Sequence, residues 1–402
     1  MSVSITTGAM GDNYVLQEAL SAYSDESYTT ARKLSGTGIV GSNPLINTDT
    51  ETFIGQVRWM KPLNPTVNVA SLTDIADGAR TSYASDYLRY IKTVRTHGAE
   101  KVNLQQMVTQ IDGLAKVGRD LGETRSQDEH NALLAVLKGV ALSEVLLGAG
   151  TASGFAGLGP QTFDNDPTSK KHGFYVDLGT TPVLASGGAS GTNATISGAV
   201  RAEGFLRAVG MAFKDYEPEY AYLITSPEVY ASFRSANLVD DIGIVDGNIT
   251  FSTIFNGKFR IIQTRASQGF STAELAKING GSGVPLNAAS TKASFIVLPG
   301  ALALQHLAVP DQVEIYRNAN TYKGGGSTSI WYRWGYVLAP VGYDWNGNQN
   351  AFPSDADYSS VLINGTPALL TAAPTGLANT TGSWTRKVQS ALALGILPVF
   401  HA

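Results

Sequence analysis

The sequence predicts an α+β fold made of two or three structural units, and three observations predict it. A chain of 402 residues is longer than one hydrophobic core usually serves. Within Ser126–Gly148, Leu133, Leu134, Leu137, Val140, Ala141, Val145 and Leu146 recur at three- and four-residue steps, one face of a long helix. From residue 198 onward, short apolar runs are separated by Gly, Asn and Pro turns, the punctuation of strands with tight connections.

Composition narrows the function classes. Apolar residues make up 43% of the chain and aromatics 9%, ample for burial. Charged residues are only 15%, against about 25% in ordinary soluble domains. A surface so poor in charge suits a protein covered by neighbours, and equally a secreted β-rich protein. The absence of cysteine excludes disulfides, thiolate metal sites and a cysteine nucleophile. The opening MSVSITTGAMGDNYVLQEA has no basic segment followed by an apolar run, so no signal peptide is expected. No window approaches about 18 uninterrupted apolar residues, so no membrane span is expected either. A net charge of −4 argues against a strong nucleic-acid surface.

Taken in order, residues 1–35 are expected to form a polar arm with a short helix at Tyr14–Tyr23, and 36–50 a turn-rich connection. Phe53–Met60 alternates as a strand, Lys61-Pro62 and Asn64-Pro65 break it, and Tyr83–Val94 returns. This two-stranded excursion has too few apolar residues for a core, so it needs a partner surface. Arg80, Arg89, Lys92 and Arg95 stand there against Asp74, Asp77 and Asp86. Isolated pairs of that kind are solvated surface, but Trp59, Tyr83, Tyr87 and Tyr90 beside them point to a protein-binding face. With Lys61 these residues, apart from the acids, are the candidate inter-subunit contacts.

In the next helix, Ser126 and Glu129 have capping-box spacing and Gly148 stands at a C-cap position. Leu114, Val117 and Leu121 continue the stripe upstream, which places Ser126 inside a still longer helix. Residues 149–197 are expected to be surface loop, with Gly173–Leu178 their best strand. Then come a helix at Ala199–Phe213, a strand at Tyr220–Thr225 and a helix opened by Ser226-Pro227-Glu228. Asp246-Gly247-Asn248 and Asn256-Gly257 predict hairpins, and Phe259–Thr264, Ser294–Leu298 and Val313–Arg317 further strands. Ile330, Tyr332, Trp334, Tyr336 and Leu338 share one face of a buried strand, with Trp331 read as core or strand face. Pro340 and Gly342 turn the chain, and Ala391–Phe400 is its last strand.

No constellation for chemistry emerges. The five histidines, His97, His130, His172, His306 and His401, have no metal-ligand spacing, and His130 is read as an ordinary helix-surface residue. Gly324-Gly325-Gly326-Ser327 lacks the lysine and helix of a phosphate loop and reads as a connection. Asp164-Asn165-Asp166 lacks the EF-hand glycine and glutamate. No catalytic, cofactor-binding or metal residue is predicted.

The order of parts resembles the major capsid proteins of tailed double-stranded-DNA phages, the HK97-like fold. The wording that carries it is FIGQVRWMKPLNPTVNV, a spine helix within Leu114–Leu147, the S-P-E-V-Y helix start, SFIVLPGALAL, and V-L-A-P-V-G-Y-D-W. The resemblance implies an N-terminal arm and connection at 1–51 and an extended β-loop (E-loop) at 52–100. It implies a peripheral domain with the spine helix and following loop at 101–197 and a compact axial domain at 198–328. Residues 329–402 would be an aromatic strand returning to the peripheral domain, and the C-terminal segment. The resemblance also implies a non-enzymatic subunit of the virion, assembled in the host cytoplasm as hexamers and pentamers of an icosahedral shell. It would enclose double-stranded DNA without sequence-specific contact, with no cofactor and no membrane. The lack of a long acidic N-terminal extension implies a separate scaffolding protein; a portal and a decoration protein are the other implied partners. Two alternatives stand beside it. One is a bacterial nanocompartment shell of the same fold; the other is a secreted β-rich surface protein, whose expected signal peptide and calcium loops the sequence lacks.

Overall fold

The computed structural model describes residues 20–29, 34–42, 46, 48, 52–60, 85–102, 113–148, 160–161, 172–178, 202–213, 217–235, 237–246, 249–264, 290, 292–348, 351–363, 366–368, 380–387 and 394–401. The tip of the excursion and most of the 149–197 loop lie outside these residues.

Residues 20–29 are helical and overlap the predicted Tyr14–Tyr23 at 20–23; the rest of that prediction lies outside the described residues. A 3-10 turn at Leu34–Gly36 leads into the expected 36–50 connection, which contains strand β1 (Val40–Gly41). β2 (Ile54–Met60) and β3 (Ser85–Val102) form the excursion, and β3 runs well past the predicted Val94. The long helix covers Gly113–Gly148, 36 residues, a length of about 54 Å at 1.5 Å per residue. β4 (Val176–Asp177), the helix Ala202–Phe213 and β5 (Ala221–Thr225) come next. The helix after them, Pro227–Ser235, has proline at its first position, Glu228 in its first turn and Arg234 in its last, matching the helix dipole.

β6 (Val239–Asp246), β7 (Ile249–Ile254) and β8 (Phe259–Gln263) make the predicted hairpins. The β7–β8 turn takes positive φ at Phe255, Asn256 and Gly257, where Asn-Gly costs least. Beyond it lie β9 (Lys292–Val297), β10 (Leu302–His306), β11 (Val313–Asn318), β12 (Ser327–Pro340) and β13 (Tyr343–Trp345). A one-turn helix, Asp355–Tyr358, is closed by a capping box between Ser354 and Asp357. β14 (Val361–Ile363), β15 (Thr366–Ala368), β16 (Thr380–Gly382), β17 (Trp384–Arg386) and β18 (Ile396–His401) complete the chain.

These strands form two large sheets. One runs β1-β10-β12-β3-β2, with β11 also beside β12; the other runs β4-β18-β9-β5-β8-β7-β6. Sheet membership therefore divides the chain differently from a boundary at residue 328. β10 and β11 join β12 and β3, while β18 returns to the strands of the 221–297 region. The alternation predicted for β12 is present: Ile330, Tyr332, Trp334, Tyr336 and Leu338 are all buried. Trp331 faces the other way and is 46% exposed, whereas Val337, further along that same face, is buried in a small cluster with Ala303 and Leu307.

The long helix touches both sheets through β12 and β18. Leu133 to Leu146 is buried on nearly every face rather than along one stripe. A helix apolar all round belongs in an interior. By length and composition it could cross a membrane, but most of it is buried within the fold. Ser126 lies inside the helix and is buried, so it caps nothing, and its predicted box partner Glu129 has other bonds. His130 is only 6% exposed, so its assignment to the helix surface is corrected. The upstream half of the helix meets the 20–29 segment at two glycines. A Cβ at Gly122 would lie 2.3 Å from Ser24 O, and one at Gly118 2.8 Å from Tyr23 Cβ.

Candidate functional site

The excursion is the feature the sequence marks for contact with other molecules, and its root is where the structure concentrates charge. Gly55 of β2 and Tyr90 of β3 are cross-strand partners. The Tyr90 ring lies so close over Gly55 that an added Cβ would sit 2.1 Å from it. Only glycine lets the aromatic ring lie flat there, a pairing that also pins the register.

Asp344 on β13 is the next support. Its side chain is 2% exposed, yet it accepts the Arg89 backbone N–H at 2.6 Å, Arg89 Nε at 3.1 Å and Nη2 at 2.7 Å. Lys387 Nζ stands 3.7 Å from the same carboxylate. Donors on three sides offset the cost of removing the charge from water.

Arg95 makes the link to the long helix. It reaches Asp355 at 2.8 Å and Asp128 at 3.7 Å. Asp128 also accepts Trp334 Nε1 at 3.0 Å and the Tyr336 hydroxyl at 3.1 Å. Burial pushes the Asp128 carboxyl above its ordinary range, against the pull of Trp334, Arg95 and Tyr336. Burial raises Asp355 too, with Arg95 opposing and Asp128 adding to it. Burial likewise holds the Tyr336 phenol well above its usual value, so it remains a donor. Asp128 borders an open groove of about 560 Å³ along the helix, with Asp120, Glu123 and Gln127.

A second cluster ties the arm to the same helix. Glu129, fully buried, accepts Tyr28 Oη at 2.5 Å and lies 3.0 Å from His306 Nε2 of β10. Arg125 lies over the Tyr28 ring at 4.2 Å and donates to Tyr332 Oη at 3.1 Å. At the far end of the helix, Glu144 and Arg386 form a pair at 3.1 Å with both side chains buried.

The candidate contact residues therefore separate. Tyr87 is 51% exposed on the two-stranded part of the excursion, and at its root Phe53 and Phe352, both exposed, have rings 4.8 Å apart. Trp59 lies on β2 opposite Asp86. Arg89 and Arg95 are committed to carboxylates of the same chain. Tyr90 and Lys92 are 2% and 1% exposed, which removes them from the surface a partner could reach. Their burial follows from β13 and β12 lying against this part of β3. Lys61, Arg80 and Tyr83 lie outside the described residues, as do Asp74 and Asp77. Among the described residues no group of three or more His, Asp or Glu is placed to hold a metal ion. Sequence reading missed Asp344, Asp128 and Asp355. Asp344 was in view within V-G-Y-D-W, but nothing local distinguishes a buried carboxylate from a solvated one.

No family model matches the sequence, and no curated protein does. Among solved structures, the chain is similar to the capsid of Ralstonia phage GP4, at 13% identity and a TM-score of 0.45, covering 77% of this chain and 84% of that one. It is similar to the acidic stable capsid structure of Helicobacter pylori bacteriophage KHP30, at 10% identity and 0.40, covering 88% and 86%. It is similar also to the mature capsid of bacteriophage PhiM1, at 15% identity and 0.40, covering 75% and 86%. Similarity at this level does not by itself identify the chain.

Proposed function

We propose that the chain is the major capsid subunit of a tailed phage, a structural protein that assembles with copies of itself into a closed icosahedral shell around double-stranded DNA. The observation that carries the reading is the excursion. β2 and β3 leave a sheet fixed to the long helix, and beyond the Val337–Lys92 pair they continue as two strands that expose Arg58 and Tyr87. A two-stranded ribbon is marginal in water, so one held out from a rigid mount is suited to lie on a neighbour. The order of parts in the sequence supports the same reading. In it, the subunit carries out no reaction; its work is repeated contact between copies.

Of the proposed 52–100 excursion, the part up to Ile91 is then the arm that crosses to the next subunit, with Trp59, Lys61, Arg80, Tyr83 and Tyr87 as its contact set, while β3 from Lys92 onward stays in the sheet with β12. The 1–51, 101–197, 198–328 and 329–402 divisions are proposed as arm, peripheral domain, axial domain and returning segment, with β10 and β11 going to the sheet of β12 and β18 to the axial sheet. A separate scaffold, a portal and a decoration protein are the proposed partners, and assembly is placed in the host cytoplasm. The modest net charge of −4 suits an inner wall that must not grip packaged DNA.

The test is sedimentation and negative-stain microscopy of the purified protein, alone and with a candidate scaffold. Closed shells of uniform diameter are expected. A monodisperse monomer at micromolar concentration under both conditions would defeat the reading.

A further inference from the structure

We infer that Asp344 is a latch that fixes how the β2–β3 ribbon leaves the subunit, acting as a substitute for a missing third strand. The β12 ladder on β3 ends at the Val337–Lys92 pair, whereas β2 continues along β3 to Met60–Ser85. Past Lys92, then, β3 pairs among the described residues with β2 on one side only. The Lys92 N–H donates to Phe53 O at 2.8 Å, on the β2 side. Strand N–H groups alternate in direction, so the Arg89 N–H points to the opposite, vacated side. An edge N–H there would be left to water or to a stray strand.

β12 does not supply the bond, because it stays with β10 through Pro340 and then turns at Gly342, where φ is 86°. β13 comes back from that turn, and the Asp344 carboxylate takes the Arg89 N–H at 2.6 Å. The same carboxylate grips the Arg89 guanidinium, so backbone and side chain of one residue are held together. β13 also pairs with β17, and the Lys387 N–H donates to Gly342 O at 3.0 Å. The ribbon is thereby tied to the carboxy-terminal segment as well as to β12. Its geometry stands without any statement about shells; only its consequence for assembly rests on the proposed function.

Hydrogen exchange measured by mass spectrometry on the purified chain separates the two. In Asp344→Ala, peptides covering residues 54–60 and 85–91 should exchange about 10- to 100-fold faster, the range for losing a charged hydrogen bond. Peptides from β5 and β9 should keep the wild-type rate. Asp344→Asn preserves volume and still offers a carbonyl to the Arg89 N–H, so it should fall between the two; it also serves if the alanine variant folds poorly. Microscopy of the same samples should show fewer closed shells in the order wild type, Asn, Ala. Unchanged ribbon exchange in both variants would overturn the latch, and so would an equal acceleration of every peptide. Wild-type protein that forms no shells, with the exchange pattern intact, would overturn the capsid reading and leave the latch standing.

Discussion

The two large sheets differ in what fills their interiors. In the sheet β4-β18-β9-β5-β8-β7-β6, β5 is buried at every position, and Phe205, Phe259, Phe295 and Ile296 pack around it. Its buried polar contacts are mostly made by hydroxyls, Thr225 to Ser294 and Ser294 to His401 at 2.9 Å each, with one carboxylate, Asp177 of β4, accepting from the Ser290 hydroxyl at 2.5 Å. Its ion pairs, Lys258–Glu217 and Lys292–Glu228, have exposed glutamates at the rim. The sheet containing β12 and β3 is joined to the long helix by Arg95–Asp128, by His306 on Glu129 and by Arg125 on the Tyr332 hydroxyl, and to β13 by Arg89–Asp344. Apolar contact is non-directional and tolerates small shifts, whereas a buried carboxylate must meet its donors in one geometry. A buried ion pair adds little over a well-packed apolar replacement, but losing one partner is costly. The difference teaches that the first sheet is built for burial and the second for register, in the region from which the ribbon projects.

The largest expected effect abolishes the contrast by removing what both sheets share. Leu137 is fully buried on the helix between them. Leu137→Asp buries an unpaired carboxylate, which costs several kcal/mol. Circular dichroism and solubility should show both sheets lost together. If the variant melts like wild type, the helix does not couple the two.

A smaller effect should fall on one side only. A side chain at position 122 collides with the Ser24 carbonyl and the Tyr28 nitrogen, both backbone atoms. Gly122→Val should cost about 1–3 kcal/mol by overpacking. Protease cleavage should appear first in residues 20–29, while β5 to β9 stay protected. Cleavage throughout the chain would show that the arm is part of the common core.

The smallest effect is a pH dependence confined to the charged side. Asp128 and Asp355 have raised carboxyl pKa values because burial disfavours their ionised forms. Their contribution is therefore fullest below the ordinary value of 3.8 and is lost as pH rises through the folded values. These two groups should partly offset acid unfolding rather than drive it. Asp128→Asn should remove part of that offset, seen as a steeper loss of stability as pH falls toward 3.8 in denaturant melts. An equal or shallower slope than wild type would show that Asp128 is not held above its usual range.

Much of this contrast was legible in the sequence on the apolar side and little of it on the charged side. Period two in Ile330–Leu338, the Ser226-Pro227-Glu228 start and Asn256-Gly257 are local patterns, and each forms the element it predicts. The charged side depends on partners far apart; Arg89 and Asp344 are 255 residues apart in the chain. No local spacing announces such a pair, so Arg89, Lys92 and Arg95 read as surface. Trp331 misled because a tryptophan amid buried aromatics has the same local pattern whichever face it takes. The four-residue spacing of Gly118 and Gly122 was the one available signal for the arm's docking place, since small residues let two helices approach closely.

The position of β18 has a consequence for synthesis. Residues 396–401 occupy an inner place in their sheet, paired with β9 on one side and β4 on the other. β3, made early, likewise waits for β12 before its longest ladder can close. At about 5–20 residues per second, translation leaves these edges open for tens of seconds. A nascent chain would therefore emerge as a set of unfinished sheets needing protection from its own copies on neighbouring ribosomes. The ribbon would gain its fixed mount only once the late strands are in place, so competence to join others would come as the last step of making the subunit.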